Sequence, residues 1–306
     1  MAQPASAPSV VGKLRRPRQP ARRNSPLPPG ARRASLARMF PRVLAFVIAL
    51  LGATTAGAHP EIQDALDRLT TALAATPSDA SLYLERGELY AKHEDWPSAE
   101  ANYLRAAELS PRLSRLAIAR GSLALATGNV SAARSFLDHA IAAAPTDPTA
   151  FILRARALAR LDLTSDALAD YSRAFTLLSA PSPELYLERA ALFASPADAL
   201  HSLDEGIARL GPVLSLHLRA LALEISLGRV DDALARVDLL TSTTERPELW
   251  LKRRGDLLAS AGRGAEARAA YRSAQAAIAD LPAWLGKSPD TARLSTELTR
   301  LATPTP

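Results

Sequence analysis

The feature that most constrains this chain is a period. Gly87, Gly121, Ala155, Ala190, Ala220 and Gly255 follow one another at 34, 34, 35, 30 and 35 residues. Each stands directly after an arginine: Arg86, Arg120, Arg154, Arg189, Arg219 and Arg254. In the first three units an alanine comes 12 residues later (Ala99, Ala133, Ala167), then a bulky residue (Tyr103, Leu137, Tyr171), then Ala106, Ala140 and Ala174. The last unit repeats this with Ala267, Tyr271 and Ala274. The phrases LYLERGELY at 82–90 and LYLERAALF at 185–193 are two beats of the same rhythm. A period of this length makes each unit one supersecondary element that cannot bury its apolar face alone, so neighbouring units must stack.

Each recurring position has a steric reason. Glycine or alanine where two helices cross lets the second approach closely, and a larger side chain there overpacks the contact. The alanines of the second helix supply the complementary small surface, and the tyrosines and leucines fill the space between hairpins. Pro111 and Pro145 stop the second helix of the first two units, because proline cannot continue the hydrogen-bond ladder. The best unit reads Tyr83, Arg86-Gly87, Tyr90, Trp96, Ala99, Tyr103, Ala106, Pro111, which resembles the tetratricopeptide repeat, with arginine in place of the usual leucine. The resemblance covers about residues 61–280. It implies an all-α fold, a right-handed α-solenoid of helix–turn–helix repeats.

Residues 59–280 are read as that solenoid, a half repeat followed by about six repeats. Ala65, Leu69, Ala72 and Pro77 fall 34 residues before Ala99, Tyr103, Ala106 and Pro111, so the array opens on a lone second helix. In the fourth unit Ser195-Pro196 shortens the turn, and in the fifth one residue is added before Ala233; both are expected to change the pitch locally without breaking the stack. Residues 281–306 are read as a capping helix and tail, the helix running from Pro289 to Ala302 with Leu294, Leu298 and Leu301 on one face. Trp96 and Trp250 are expected to pack, and Trp284 to make a cap contact, with an exposed anchor as its alternative.

The net charge of +6 hides an asymmetry. Residues 1–58 hold ten Lys/Arg and no acid, which leaves 27 basic against 31 acidic residues beyond them, a balance of −4. The basicity therefore belongs to the leader, and a nucleic-acid interface, which needs a basic face on the folded part, is not expected. Arg42, the apolar run from Val43 to Gly52 and Ala56-Gly57-Ala58 are the parts of a secretory signal over 39–58. Residues 1–38 are then a disordered basic extension, or Met39 is the true start. Arg32-Arg33 weakly resembles a twin-arginine signal, with Ser35 against it. The product is read as exported, periplasmic or secreted in a bacterium, with the alternative of an uncleaved membrane anchor over 43–58.

Little in the sequence points to chemistry. The chain has no cysteine, which excludes disulfides, thiolate metal sites and a cysteine nucleophile. His59, His93, His139, His201 and His217 form no metal-ligand spacing, and phosphate-loop, dinucleotide and nucleophile-elbow motifs are missing. No enzyme activity, cofactor, metal or small-molecule substrate is expected. The remote exception is His59, which cleavage after Ala58 would make an amino-terminal copper chelator. Asp231-Asp232 suit a helix-opening turn. Glu85 and Glu188 are expected to face solvent or pair with neighbouring arginines.

What remains is a groove. The resemblance implies that first helices line a concave face through the second, fifth, ninth, twelfth and thirteenth positions of each unit. These positions place Lys92, Arg115, Arg156 and Arg160 around an aliphatic floor of Leu84, Ile118 and Ile152. The expected partner is a protein or peptide segment carrying acidic and apolar residues. The carboxylate-clamp variety of the repeat is not expected, since Leu84 and Glu88 stand where its lysine and asparagine belong. The fifth and sixth units look mixed, with His217, Glu224, Lys252 and Asp256. The function read from the sequence is therefore a non-enzymatic protein–protein interaction scaffold, expected to act in the assembly of an envelope complex.

Overall fold

The computed structural model describes residues 60–303, and over them the chain is all α, with fifteen helices and no strand. A first helix, α1 (Pro60–Ala75), stands alone. Six hairpins follow: α2 (Ala80–Lys92) with α3 (Trp96–Leu109), α4 (Ser114–Ala126) with α5 (Val130–Ala143), and α6 (Pro148–Arg160) with α7 (Thr164–Leu177). The second three are α8 (Pro183–Ala191) with α9 (Pro196–Leu210), α10 (Leu214–Ser226) with α11 (Val230–Ser242), and α12 (Pro247–Ser260) with α13 (Gly264–Ala279). A single turn, α14 (Ala283–Gly286), leads to α15 (Pro289–Ala302).

Local chemistry starts and stops these helices where the sequence punctuates them. The Asp79 carboxylate accepts from the Ser81 amide at 2.8 Å and Asp147 from Thr149 at 2.8 Å, each satisfying an orphan donor of the first turn. Asp95 does the same for Ser98 and Asn129 for Ala132. Between the helices of a hairpin the chain passes through the left-handed region. Gly128, Gly228 and Gly262 serve there at φ of 82°, 69° and 75°, but units one and three use Glu94 and Asp162, at 61° and 59°. A side chain in that conformation is strained by about 1–2 kcal/mol. The fourth hairpin is different. Its first helix has only nine residues, and Ser195-Pro196 opens the second at once.

The small residues do what the period requires. Ala99, Ala133, Ala167, Ala155 and Ala220 are fully buried at helix crossings. A Cβ on Gly87 would lie 2.5 Å from the Tyr103 ring, and one on Gly255 would lie 2.3 Å from Tyr271. Unit four exchanges the parts: its tyrosine, Tyr186, is on the first helix, and the glycine beneath it, Gly206, is on the second. The core is a chain of four clusters. The largest runs unbroken through units three, four and five, across the shortened hairpin, from Ala155 to Leu223. At the far end α15 lies on α13 and buries Leu298, with Leu294 and Leu301 packed beside it. Trp284, on the single turn α14, is 77% exposed and makes no buried cap contact, which leaves the exposed alternative.

Among the described residues no helix is long and apolar enough to cross a membrane. The leader and its signal-like segment (1–58), His59, and the last three residues lie outside the described residues.

Candidate functional site

The arginine before each crossing residue is the first finding of function-bearing chemistry, and it is structural. Arg154 donates to Asp170 at 2.7 and 2.8 Å and to Asp138 at 2.8 Å. Those carboxylates lie sixteen residues after and sixteen before it, on the second helices of its own and the preceding unit. Arg86 repeats the geometry with Asn102 and with Thr70 of α1, which puts the lone helix in the place of a preceding second helix. Arg189 reaches Ser202 and Glu205, and Arg254 reaches Asp238. The guanidiniums of Arg86, Arg154 and Arg254 therefore tie one hairpin to the second helix before it, a task leucine cannot perform, whereas Arg189 bonds only within its own hairpin.

The groove side carries a second set of charges. Arg115 donates to Glu88 at 2.6 Å, and Arg156 donates through Nε and a terminal nitrogen to the two oxygens of Glu188, 2.9 Å each. Tyr171 adds a hydroxyl donor to Glu188 at 2.7 Å. The carboxyl of Glu188 is held below the ordinary carboxylate range, its partial burial outweighed by bonds from Arg156 and Tyr171. Arg160 turns inward and caps the carbonyl of Leu125 at 2.6 Å, the end of the preceding first helix. Lys92 is exposed at the groove rim.

These positions sort the expected groove residues. Lys92, Arg115 and Ile118 line one cleft of about 470 Å³, together with Trp96, Ala119, Ser122 and Leu153. Ile152 is partly buried against the large core cluster, and Arg156 and Arg160 belong to the contacts just described. Leu84 does not form groove floor. It is 2% exposed, packed among Tyr103, Leu116 and Ala119 between units one and two. The basic character expected there is also reduced, since Arg115 and Arg156 each face a glutamate of a neighbouring unit. Glu85 is exposed, whereas Glu188 is paired.

Tyrosine hydroxyls from the second helices come up beneath this surface. Burial, with Glu88 and Glu100 nearby, pushes Tyr103 up to about 12. Burial and Asp256, which accepts from its hydroxyl at 3.1 Å, push Tyr271 up to about 12. Lys252 bridges Asp256 and Glu297 of α15 at 3.1 and 3.2 Å, so the last helix closes the end of the groove.

The rear units hold a network that the sequence had placed in an open groove. Arg236 of α11 donates to Glu224 at 2.6 and 2.9 Å, to Asp204 at 2.9 Å, and contacts His217 Nδ1 at 3.1 Å. Glu224 and His217 are buried. Because arginine can only donate, Nδ1 is the acceptor, and the proton sits on Nε2, which is buried with no hydrogen-bond partner. Burial first and the Arg236 charge second hold the imidazole below its ordinary pKa. Leu214, Leu218 and Ile225 of α10 and Leu249 of α12 are exposed apolar residues that no motif announced. Their signal on α10 was the spacing of leucine and isoleucine beyond those the core needs.

No group of three or more His, Asp or Glu among the described residues could hold a metal ion. The arrangement offers ion pairs and apolar clefts on a stack of hairpins.

The tetratricopeptide-repeat family model matches residues 50–114 and 118–180. No curated protein matches the chain. Among solved structures, PilW, described as a widely conserved type IV pilus biogenesis factor, aligns with a TM-score of 0.52 at 18% identity, over 61% of this chain and 90% of its own. The Naa15/Naa10 complex bound to HypK-THB aligns with a TM-score of 0.50 at 17% identity, over 79% of this chain and 37% of its own. A tetratricopeptide repeat protein from Parabacteroides merdae aligns at 0.48 and 15% identity, over 85% of this chain and 96% of its own. Over the matched residues the hairpins are similar to tetratricopeptide repeats, and the described residues form an all-α repeat fold.

Proposed function

We propose that this tetratricopeptide-repeat chain is a non-enzymatic scaffold that holds a protein or peptide segment on its first-helix face, and that it works outside the cytoplasm in the assembly of an envelope complex. Repeats of this kind generally mediate protein–protein interaction. The observation that carries the reading is the cleft of about 470 Å³ formed by the first three units. Its apolar floor of Ile118, Trp96 and Leu153 is rimmed by Lys92 and the Arg115–Glu88 pair. That combination suits a segment whose apolar residue enters the floor while an acidic neighbour meets Lys92 and Arg115. The rim pair is exposed, so opening it for a partner costs little, about 0–1 kcal/mol. Export rests on the charge and apolar order of residues 39–58.

Two measurements test the reading. Affinity purification from the native host's envelope is expected to recover a stoichiometric partner with the wild-type chain and to lose it with the Arg115→Glu, Arg156→Glu double variant. Unchanged recovery overturns the groove. Mass spectrometry of the mature chain is expected to find His59 at the amino terminus. A chain that retains residues 43–58 shows a membrane-tethered scaffold instead.

A further inference from the structure

Three second helices carry a tyrosine sixteen residues after the crossing residue of their hairpin: Tyr103 after Gly87, Tyr171 after Ala155 and Tyr271 after Gly255. All three side chains are buried. Tyr171 donates to Glu188 at 2.7 Å and Tyr271 to Asp256 at 3.1 Å. Tyr103 has no equivalent bond among the described residues. Glu88 acts on its hydroxyl only through charge, and the Glu88 carboxylate is turned to Arg115 at 2.6 Å.

The Tyr103 hydroxyl is not sealed away either. Tyr186 holds a hydroxyl enclosed by protein without a partner, whereas that of Tyr103 is not enclosed, and Tyr103 lines the front cleft of about 470 Å³. Burial, then the charges of Glu88 and Glu100, push it up to about 12, so it keeps its proton and can donate. A tyrosine with a buried ring ordinarily finds a partner for its hydroxyl. The cleft therefore has one unpaired donor set among apolar walls, Trp96, Ile118, Leu123 and Leu153. What enters must have an apolar body and bring an acceptor to that depth. Lysine and arginine have no acceptor, and a carboxylate would lose its water beside Glu88. The cations of Lys92 and Arg115 on the rim favour the face of an aromatic ring over an aliphatic chain.

We propose that the front cleft selects a tyrosine side chain of a partner protein, and that Tyr103 is the residue that distinguishes tyrosine from phenylalanine. The inserted ring lies among the apolar walls, and its hydroxyl oxygen accepts the hydrogen bond that the Tyr103 hydroxyl donates. This inference rests on the groove reading proposed above and adds the chemistry of the residue that enters it. The occupant is a partner, because none of the chain's six tyrosines is exposed and residues 1–58 contain none.

The test follows the full chain, labelled with nitrogen-15, by amide NMR as acetyl-Glu-Tyr-Leu-amide or acetyl-Glu-Phe-Leu-amide is added. Shifts at Ile118, Ser122 and Leu153 report the cleft. The tyrosine peptide is expected to bind at least about 5-fold more tightly than the phenylalanine peptide, since a ring without an acceptor covers the Tyr103 hydroxyl and leaves it unpaired. Tyr103→Phe is expected to bind the two peptides alike. If the wild type binds both equally at these residues, tyrosine selection is overturned while the groove stands. If neither peptide moves them, the groove reading fails and the selection with it. A preference that survives in Tyr103→Phe overturns the role of Tyr103. A doubled mass in solution, lost when the tyrosine peptide is added, assigns the cleft to a second copy and overturns the partner. The two wild-type titrations decide the selection even if the variant misfolds.

Discussion

Arg115 and Arg236 each meet a glutamate at 2.6 Å, yet the two contacts belong to different kinds of structure. The Arg115 and Glu88 side chains are 61% and 33% exposed, on the rim of the front cleft. Those of Arg236 and Glu224 are 12% and 4% exposed, and Asp204 and His217 share the same guanidinium. Distance alone does not rank these pairs; desolvation does. At the rim of the front cleft Arg115 and Glu88 keep their water, so this pair can open at small cost. In the rear units, removing one member strands another inside the protein, so the network fixes the junction of units four and five. The front pair is cheap to open and the rear network is not.

That contrast can be broken by experiment. The largest effect is expected from Arg236→Met, which leaves Glu224 buried without its cation: a loss of about 3–5 kcal/mol. Arg115→Met should lose no more than about 1 kcal/mol. Urea unfolding of both variants checks the pair, and equal losses would remove the distinction between front and rear. Next come the crossing glycines. Gly255→Ala drives a methyl into the Tyr271 ring and should cost about 1–3 kcal/mol. Gly121→Ala, which meets the flexible Leu137, should cost less; thermal melting of the two variants ranks them.

A stabilising change is expected at the front. Glu94→Gly relieves a left-handed side chain at φ 61° and should add about 1 kcal/mol, read as a higher midpoint in the same urea titration. The smallest effect sharpens the rear. His217 has a folded pKa below its ordinary 6.5, so the unfolded chain takes up a proton first as the pH falls. Stability contributed by the neutral imidazole is therefore complete above about 6.5 and declines as the pH drops toward the lower, folded value. In His217→Gln, whose side-chain oxygen can still accept from Arg236, that decline should vanish from melting curves taken between neutral pH and the onset of carboxylate titration.

Much of the fold was legible because its cause is written in spacing. Gly87, Gly121 and Ala155 recur at the interval of one hairpin, and the reason, a close helix crossing, acts within each unit. The arginine before them was legible as a position but not as a contact. Its partners lie sixteen residues away in both directions, and only the stacking of two second helices brings Asp138 and Asp170 to one guanidinium. The pattern of acids at that offset was present in the sequence and could have been counted. The front cleft was partly legible: Lys92, Arg115 and Ile118 do share it. Leu84 was misplaced because its position in the repeat does not reveal that Leu116 and Tyr103 close over it.

The sequence by itself determined the number of hairpins, the residues that must be small, and the places where helices stop. These follow from chain-local sterics and from the need of each unit to bury one face. Only the tertiary structure decided which charges would pair and which would be buried. It paired Arg115 with Glu88 and Arg156 with Glu188, buried Glu224 beneath Arg236, turned Trp284 outward and left the Nε of Arg120 buried without a partner. Those outcomes depend on distances between neighbouring units and on the water excluded between them, which no single repeat contains.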